Sequence, residues 1–187
     1  MKTVERELEA ILKVPVAEQQ LALAAFVSSL FKPHDVDLVV VGGATVQYYT
    51  MAEYVTGDLD AILYGDTKEM IEEVMSSIGF RRTTNYRHFE HPKFPFVIEF
   101  PPSPTMVGSR KIMKVDTLSF GGNSVQVLKV EDVIMDRIIA GIEWKDQPSL
   151  NQARLMWIKN KERIDLDYLT DFAKKEGYLK TLREIIR

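Results

Sequence analysis

The sequence contains no cysteine, no excess of basic residues and no long apolar run, and each absence excludes a class of function. Without cysteine there is no disulfide framework, no thiolate nucleophile and no cysteine-ligated zinc site. The formal net charge is −3, so the chain has no global basic excess of the kind usual in obligate nucleic-acid binders. The net charge does not exclude a local basic patch. The charged N-terminal residues and the lack of a bilayer-spanning run predict a cytoplasmic protein without a membrane segment.

The hydrophobic pattern changes once along the chain. The 187 residues are 45% hydrophobic, which fits one core, or one core with a small helical appendage. Helices and strands alternate up to about Val130, and only helical periodicity follows Glu131. The sequence therefore predicts an α+β fold with a mixed sheet in residues 1–130, followed by a C-terminal helical region in residues 131–187 that packs on it.

Turn and capping residues set the limits of the predicted elements. Val14-Pro15 divides the N-terminal helical region, Asp66 is placed to cap a helix, and Gly121-Gly122-Asn123 predicts a hairpin turn. The predicted strands are Leu38–Val41, a segment from Asp58, Phe80–Glu90, Phe94–Phe100, Lys111–Phe120 and Val125–Val130. The predicted helices are Val4–Phe31 in two pieces, Ala44–Ala52, Asp66–Ser77, Glu131–Glu143, Leu150–Lys161, Asp165–Lys175 and Leu179–Ile186. The side chains expected in the core between the C-terminal helices include Trp144, Met156 and Trp157.

Gly42-Gly43 follows the apolar run Leu38–Val41 and precedes the helical segment Ala44–Ala52. The run is short and β-branched, so it predicts a buried strand that stops at a glycine turn. The first N–H groups of the next helix would face the opening that the glycines leave, where an anion can bind. The pair predicts a phosphate-binding turn, although a Gly-Gly pair alone is more often only a tight turn.

Three carboxylates lie on predicted strands with an open face. Asp58 and Asp60 are two residues apart, so a strand directs both to one face while Leu59 turns into apolar packing. In the later strand Phe94–Phe100, alternation places Glu99 opposite the apolar face. Parallel carboxylates favour a cation between them, whereas each one taken singly is more often a solvated strand residue.

These features, in this order, resemble the nucleotidyltransferase superfamily with the polymerase β-like palm. Gly42-Gly43 matches the glycine motif, Asp58 and Asp60 match the paired aspartates, and Glu99 takes the place of the third carboxylate. The helix at Val130–Arg137 is similar to the helix that follows the palm. The resemblance is closest to small prokaryotic members, several of which are paired with toxin–antitoxin systems.

The resemblance implies an enzyme that transfers a nucleoside monophosphate from a nucleoside triphosphate such as ATP to an acceptor hydroxyl. Asp58, Asp60 and Glu99 would be catalytic and would bind two Mg²⁺ ions roughly 3.5–4 Å apart, with Mn²⁺ as an alternative. The expected nucleotide-binding residues are Gly42, Gly43, Thr56 and Arg137. The acceptor is RNA, a protein or a small molecule, and a partner protein of a toxin–antitoxin pair is a further expectation.

One departure from the family pattern keeps a second function open. Relatives often carry an arginine just before the Thr-x-Asp-x-Asp segment, whereas Glu53, Tyr54 and Val55 precede Thr56 here. The departure favours a catalytically degenerate fold that acts as a nucleotide-binding or toxin–antitoxin interaction module. The three carboxylates favour the enzyme, because close like charges repel one another without a cation.

Other charged residues have two interpretations each. Arg137 would reach a phosphate or pair with a carboxylate in the helix packing. His88 and His91 are three residues apart on a predicted strand, so they face opposite sides, and no zinc-binding pattern is present. A local basic stretch either steers a triphosphate or an RNA end or is a solvated strand face. It consists of Arg81, Arg82, Arg87, His88, His91 and Lys93.

Overall fold

The first 130 residues form helices and a set of mostly short strands, which assemble into a mixed sheet covered by helices. The computed structural model describes residues 2–65 and 67–187. The strands are β1 (Asp37–Val41), β2 (Asp58–Tyr64), β3 (Arg81–Arg82), β4 (His88–Glu90), β5 (Val97–Glu99), β6 (Met106–Val107), β7 (Arg110–Lys111), β8 (Val115–Phe120) and β9 (Asn123–Leu128). The helices are α1 (Lys2–Ile11), α2 (Val16–Phe31), α3 (Gly42–Tyr49), α4 (Lys68–Ser77), α5 (Val130–Glu143), α6 (Gln147–Asn160), α7 (Leu166–Glu176) and α8 (Leu179–Ile185).

The main sheet has β1 near its centre, which explains the continuous apolar run of that strand. Within the described residues its strand order is β3-β4-β5-β2-β1-β9-β8. β1 pairs with β9 and β2 pairs with β5 in parallel, and the other neighbours are antiparallel. Strands that are covered on both faces need apolar side chains on both faces. The predicted α+β class with a mixed sheet is confirmed.

The first hydrophobic core joins the sheet to α1, α2 and α4. α2 is apolar on most sides, and Leu23 and Ala25 are fully buried within it. Leu59 of β2 and Ile98 of β5 point into this core, and each is only 1% exposed. Because strand side chains alternate, the residues on either side of Leu59 and Ile98 point away from this core.

A second core lies between α3, the β6–β7 hairpin and the helices from α5 onward. It contains Tyr49 of α3, Ile138 of α5 and Phe172 of α7, all essentially inaccessible to solvent. The Tyr49 hydroxyl donates a hydrogen bond to the Leu128 carbonyl at 2.8 Å, and Asn160 Nδ2 donates to the Tyr49 carbonyl at 2.8 Å. α3 is thus bonded to β9 and α6. This core joins residues on both sides of the boundary predicted at 130/131, and that division stays a prediction.

Several predicted elements are shorter or divided in the structure. The predicted strand Phe80–Glu90 is two strands, β3 and β4, because the chain turns between them and Thr83 N–H donates to the His88 carbonyl at 2.9 Å. The predicted strand Lys111–Phe120 begins only at Val115. α3 begins at Gly42 itself and ends at Tyr49, so the glycines are its first residues. The hairpin turn at Gly121-Gly122 is present, with positive φ at both residues.

Two local predictions have different outcomes. The capping residue predicted for α4, Asp66, lies outside the described residues, and the side chain of Thr67 accepts a hydrogen bond from Met70 N–H at 3.2 Å. The prediction that Trp144 is a core residue is wrong, because it follows the end of α5 and is 78% exposed.

None of the helices in the described ranges is both long and apolar enough to cross a membrane.

We predict that Leu59 determines stability although it lies between two polar residues. Leu59→Ala removes a side chain that is 1% exposed, so the free energy of unfolding should fall by about 3 kcal/mol. Chemical denaturation followed by circular dichroism measures this change. Leu166→Ala is the matched control, since Leu166 is 44% exposed and its truncation should cost less than about 1 kcal/mol. Equal costs for the two variants would contradict the burial of Leu59.

Candidate active site

The glycine pair ends β1 and starts α3 without an intervening loop. Gly42 has a φ of +63°, which a side chain would strain, and a Cβ there would overlap the Asp60 carboxylate. A Cβ on Gly43 would lie 2.5 Å from Thr56 Oγ1. Both positions therefore require glycine because protein side chains approach the turn closely. The N–H of Gly43 donates a hydrogen bond to the Asp60 carboxylate.

The pairing of β2 with β5 brings the predicted carboxylates to one face of the sheet. In this parallel pair Asp60 lies opposite Glu99, and Asp58 lies opposite Val97. Leu59 and Ile98 point into the first core, so these carboxylates share the other face. All three keep some solvent exposure. The structure thus places Asp58, Asp60 and Glu99 beside the Gly42–Gly43 turn.

Asp60 experiences the strongest electrostatic effect in this group. Burial, the charge of Glu99 and the charge of Asp58 raise the pKa of Asp60 to about 6. The hydrogen bond from Gly43 and the positive charge of Arg137 act in the opposite direction. Two neighbouring carboxylates therefore act on the Asp60 proton, and a cation bound between them would relieve the repulsion.

Arg137 of α5 has contacts that fit both sequence interpretations. Its Nε donates to Asp136 Oδ2 at 3.0 Å, so it pairs with a carboxylate of its own helix. Its positive charge also lowers the pKa of Asp60, which places the guanidinium within electrostatic reach of the carboxylate group. Thr56, the remaining predicted nucleotide-binding residue, lies against Gly43, and its hydroxyl accepts a hydrogen bond from Asp58 N–H at 3.4 Å.

Two buried glutamines that the sequence analysis did not single out hold the segment before Asp58. Gln20 Nε2 of α2 donates to the carbonyls of Thr56 and Asp58 at 3.2 and 3.3 Å. Gln47 Oε1 of α3 accepts from Thr56 N–H at 3.1 Å, and its Nε2 donates to the Ala17 carbonyl at 2.7 Å. One feature of the sequence could have indicated both glutamines, because each is an uncharged polar residue on a largely apolar helix. Their hydrogen-bond partners are distant in the sequence, so the pattern does not identify what they bind.

Several side chains of the basic stretch make contacts within the protein. Arg82 pairs with Glu72 at 3.2 Å, and Arg87 donates to the Phe100 carbonyl at 2.7 Å. His91 packs on the Phe80 ring, with ring centroids 4.9 Å apart. These contacts favour a structural role for this part of the stretch over steering of a ligand.

His88 is the member of the stretch that contacts the carboxylate group. It lies opposite Glu99 in the β4–β5 pair, and its Nε2 is 3.1 Å from Glu99 Oε1. His88 and His91 therefore have different neighbours.

Asp58, Asp60 and Glu99 are the residues that could hold a divalent cation. Across residues 2–65 and 67–187, no three histidine or carboxylate side chains surround a point closely enough to enclose a metal ion as they stand. Asp58, Asp60 and Glu99 nevertheless offer only oxygen ligands, and the raised pKa of Asp60 shows that their charges interact. Mg²⁺ prefers oxygen and keeps several waters that substrate phosphates can replace. The oxygen chemistry of these residues therefore suits Mg²⁺, while their present spacing does not enclose the ion.

We predict that Asp60→Asn stabilises the protein only above mildly acidic pH. The folded-state pKa of Asp60 is raised from 3.8 to about 6, so the folded protein binds more protons than the unfolded chain in that window. Wild-type stability should fall as pH rises from about 4 to about 6, and the Asp60→Asn variant should be more stable than the wild type above that range by about 1–2 kcal/mol. Urea unfolding from pH 4 to pH 8 measures the difference. Asp37→Asn, an exposed carboxylate on β1, is the control, and a gap that does not change with pH would contradict the prediction.

Comparison with known proteins identifies the fold. No protein-family model and no curated protein sequence matches this chain. An antigenic nucleotidyltransferase-like protein from Paracoccidioides brasiliensis superposes with a TM-score of 0.58 at 13% identity, over 88% of this chain and 92% of that one. The antibiotic-resistance factor ANT(2'')-Ia gives a TM-score of 0.54 at 14% identity, over 90% of this chain and 99% of that one. Its complex with adenylyl-2''-tobramycin also gives 0.54, at 15% identity over 84% and 98% of the two chains. The protein therefore has the nucleotidyltransferase fold that its glycine turn and paired aspartates predict.

Proposed function

We propose that the protein is a metal-dependent nucleotidyltransferase that transfers a nucleoside monophosphate from a nucleoside triphosphate to an acceptor hydroxyl. The observation that supports this most strongly is the β2–β5 register, which sets Asp60 beside Glu99 at the Gly42–Gly43 turn. An interaction module gains nothing from carboxylates whose charges act on one another, because that repulsion destabilises the fold. The degenerate-fold alternative is therefore less favoured.

The proposed roles follow from position. Asp58, Asp60 and Glu99 would hold Mg²⁺, or Mn²⁺ in its place, and bound metal would neutralise charge on the transferred phosphate. Glu99 would accept the proton of the acceptor hydroxyl, with His88 Nε2 3.1 Å from its Oε1. The N-terminus of α3 at Gly42 and Gly43 would attract the outer phosphates.

Two further side chains would bind the nucleotide in this scheme. Thr56 lies against Gly43, and its hydroxyl would contact the same phosphates. Arg137 would add a positive charge near Asp60, where the transferred phosphate would develop negative charge. Among the residues that precede Thr56, where relatives often carry an arginine, Glu53 forms an ion pair with Lys159 of α6. A cytoplasmic location and a toxin–antitoxin partner stay predictions.

We predict that Asp58→Asn removes transfer but not nucleotide binding. Its charge would act mainly in the transition state, so turnover should fall by about a hundredfold or more, while nucleotide affinity should change by less than about tenfold. Wild type and variant are incubated with each radiolabelled triphosphate, Mg²⁺ and a crude pool of RNA, protein and small molecules. Filter binding measures affinity in parallel. Asp37→Asn is the matched control for loss of one carboxylate.

Equal transfer by wild type and Asp58→Asn would remove Asp58 from the chemistry. A complete absence of label transfer by the wild type to any acceptor, with nucleotide binding retained, would instead favour the interaction module. The two results are distinct, so the experiment separates a wrong residue from a wrong function.

We predict that Mg²⁺ raises the melting temperature through the same carboxylates. A ligand that binds only the folded state stabilises it by mass action, and relief of the repulsion around Asp60 adds to this effect. Thermal melts with and without EDTA should differ for the wild type but not for Asp58→Asn combined with Asp60→Asn. Sodium chloride of equal ionic strength is the control. An equal Mg²⁺ increment in the double variant would place the ion elsewhere.

A further inference from the structure

A second concave site, here called the basic cavity, lies outside the carboxylate group. It has a volume of about 310 Å³ and is lined by residues of β7, the segment before β8, and the starts of α5 and α7. Four of its lining side chains are cations, namely Arg110, Lys111, Lys114 and Lys129. A cavity of this size with several convergent cations is suited to an anionic group such as phosphate.

The carboxylates near the basic cavity are engaged by the protein. Glu131 Oε1 accepts a hydrogen bond from Asp165 N–H at 2.7 Å, and Asp165 Oδ1 caps α7 by accepting from Tyr168 N–H at 3.0 Å. Both belong to the first turn or the cap of a helix, where the helix dipole offsets negative charge. By contrast, no carboxylate in the described ranges lies within ion-pair distance of Lys111, Lys114 or Lys129.

Arg110 is held in a fixed position at the wall of the basic cavity. Its guanidinium lies 4.1 Å from the centre of the Phe172 ring and 5.2 Å from that of Tyr168, and it pairs with Asp171 at 3.3 Å. The Tyr168 hydroxyl in turn donates to Asp132 Oδ1 at 2.6 Å. A cation that lies over two rings and pairs with a carboxylate keeps its geometry before a ligand arrives, which reduces the ordering cost of binding.

Asp132 lies behind this wall and has one unused hydrogen-bonding atom. It is fully buried, and within the described chain its Oδ2 has no hydrogen-bond partner. Burial raises the pKa of Asp132 to about 6, while the charges of Arg110 and Lys129 act in the opposite direction. The charge of Asp132 therefore interacts favourably with Arg110 and Lys129, two of the cations that line the basic cavity.

The basic cavity and the carboxylate group lie at the same end of the sheet, where β1 and β9 both finish. Val41, the last residue of β1, lies opposite Asp60, and β1 runs parallel to β9, which ends at Leu128. Lys129 is the next residue. Because β1 alone separates β2 from β9, the backbones at Asp60 and Leu128 are roughly 10 Å apart, two strand spacings. A substrate that contacts both places would have to span a distance of this order.

We propose that the basic cavity binds a phosphate group of the acceptor substrate while its hydroxyl lies at the carboxylates. The identity of the ligand as an acceptor rests on the proposed function, whereas the phosphate site itself does not. The proposal assigns an anionic chemistry to the acceptor and gives Lys111 and Lys129 the direct contacts.

Nuclear magnetic resonance tests the site without any activity. Isotope-labelled protein in EDTA is titrated with inorganic phosphate at constant ionic strength. The amide signals of Lys129, Glu131 and Tyr168 should shift and saturate. Lys111→Gln combined with Lys129→Gln should weaken the fitted affinity by about tenfold, which corresponds to about 1.4 kcal/mol.

The matched control is Lys161→Gln combined with Lys180→Gln, which removes the same charge from exposed positions away from the basic cavity. It should leave the affinity unchanged. Shifts confined to Gly42 and Gly43, shifts that do not saturate, or equal weakening by both double variants would overturn the proposal.

A transfer assay then tests the link to the acceptor. In the Lys111, Lys129 double variant the KM for the acceptor should rise about tenfold while the KM for the nucleotide stays unchanged. An unchanged acceptor KM would overturn the assignment to the acceptor. If the wild type labels no acceptor, the proposed function fails, and a saturable phosphate shift at the basic cavity still establishes the site.

Discussion

The contact between Asp60 and the first turn of α3 is the constraint on which the rest of the site depends. The carboxylate lies so close to Gly42 that a Cβ would overlap it, and Gly43 donates a hydrogen bond to it. This contact fixes β2 against the glycine turn. Through the parallel pairing of β2 with β5, it also fixes the position of Glu99. A single close approach thereby sets the spacing of the carboxylates and the opening at the N-terminus of α3.

That close approach has an electrostatic cost that the fold only partly offsets. One amide hydrogen bond and the charge of Arg137 stabilise ionised Asp60, while burial and two neighbouring carboxylates oppose ionisation. Protein sites with this imbalance are commonly functional, because a ligand can supply the missing charge.

The sequence predicted the elements whose signals are local. A β-branched run before Gly42-Gly43, a period-two pattern at Asp58 and Asp60, and the glycines of the β8–β9 turn each depend on neighbouring residues only. The two-strand form of Phe80–Glu90 was missed although Thr83 and Asn85 are turn-forming residues: the Thr83 hydroxyl accepts a hydrogen bond from Asn85 N–H, and Asn85 Oδ1 accepts one from Arg87 N–H.

Side chains that act over long distances in the chain were also missed. Gln20 and Gln47 hold the backbone before Asp58 through hydrogen bonds that depend on how α2 and α3 pack. The prediction of Trp144 as core failed for a related reason. Its apolar character suggests burial, but it follows the last residue of α5, where no neighbouring helix covers it. Composition indicates which side chains can be buried, and only packing decides which ones are.

The hydrogen bonds of Gln20 have a consequence for how the site can change. Its amide reaches the carbonyls of Thr56 and Asp58 from a helix that begins at Val16, far from the Asp58–Asp60 pair in the chain. The strand that carries the aspartates is therefore aligned by the helical layer beneath the sheet. Grafting the segment from Gly42 to Asp60 onto a related sheet would transfer the carboxylates without the support that directs them. The functional unit is the strand together with its supporting helix.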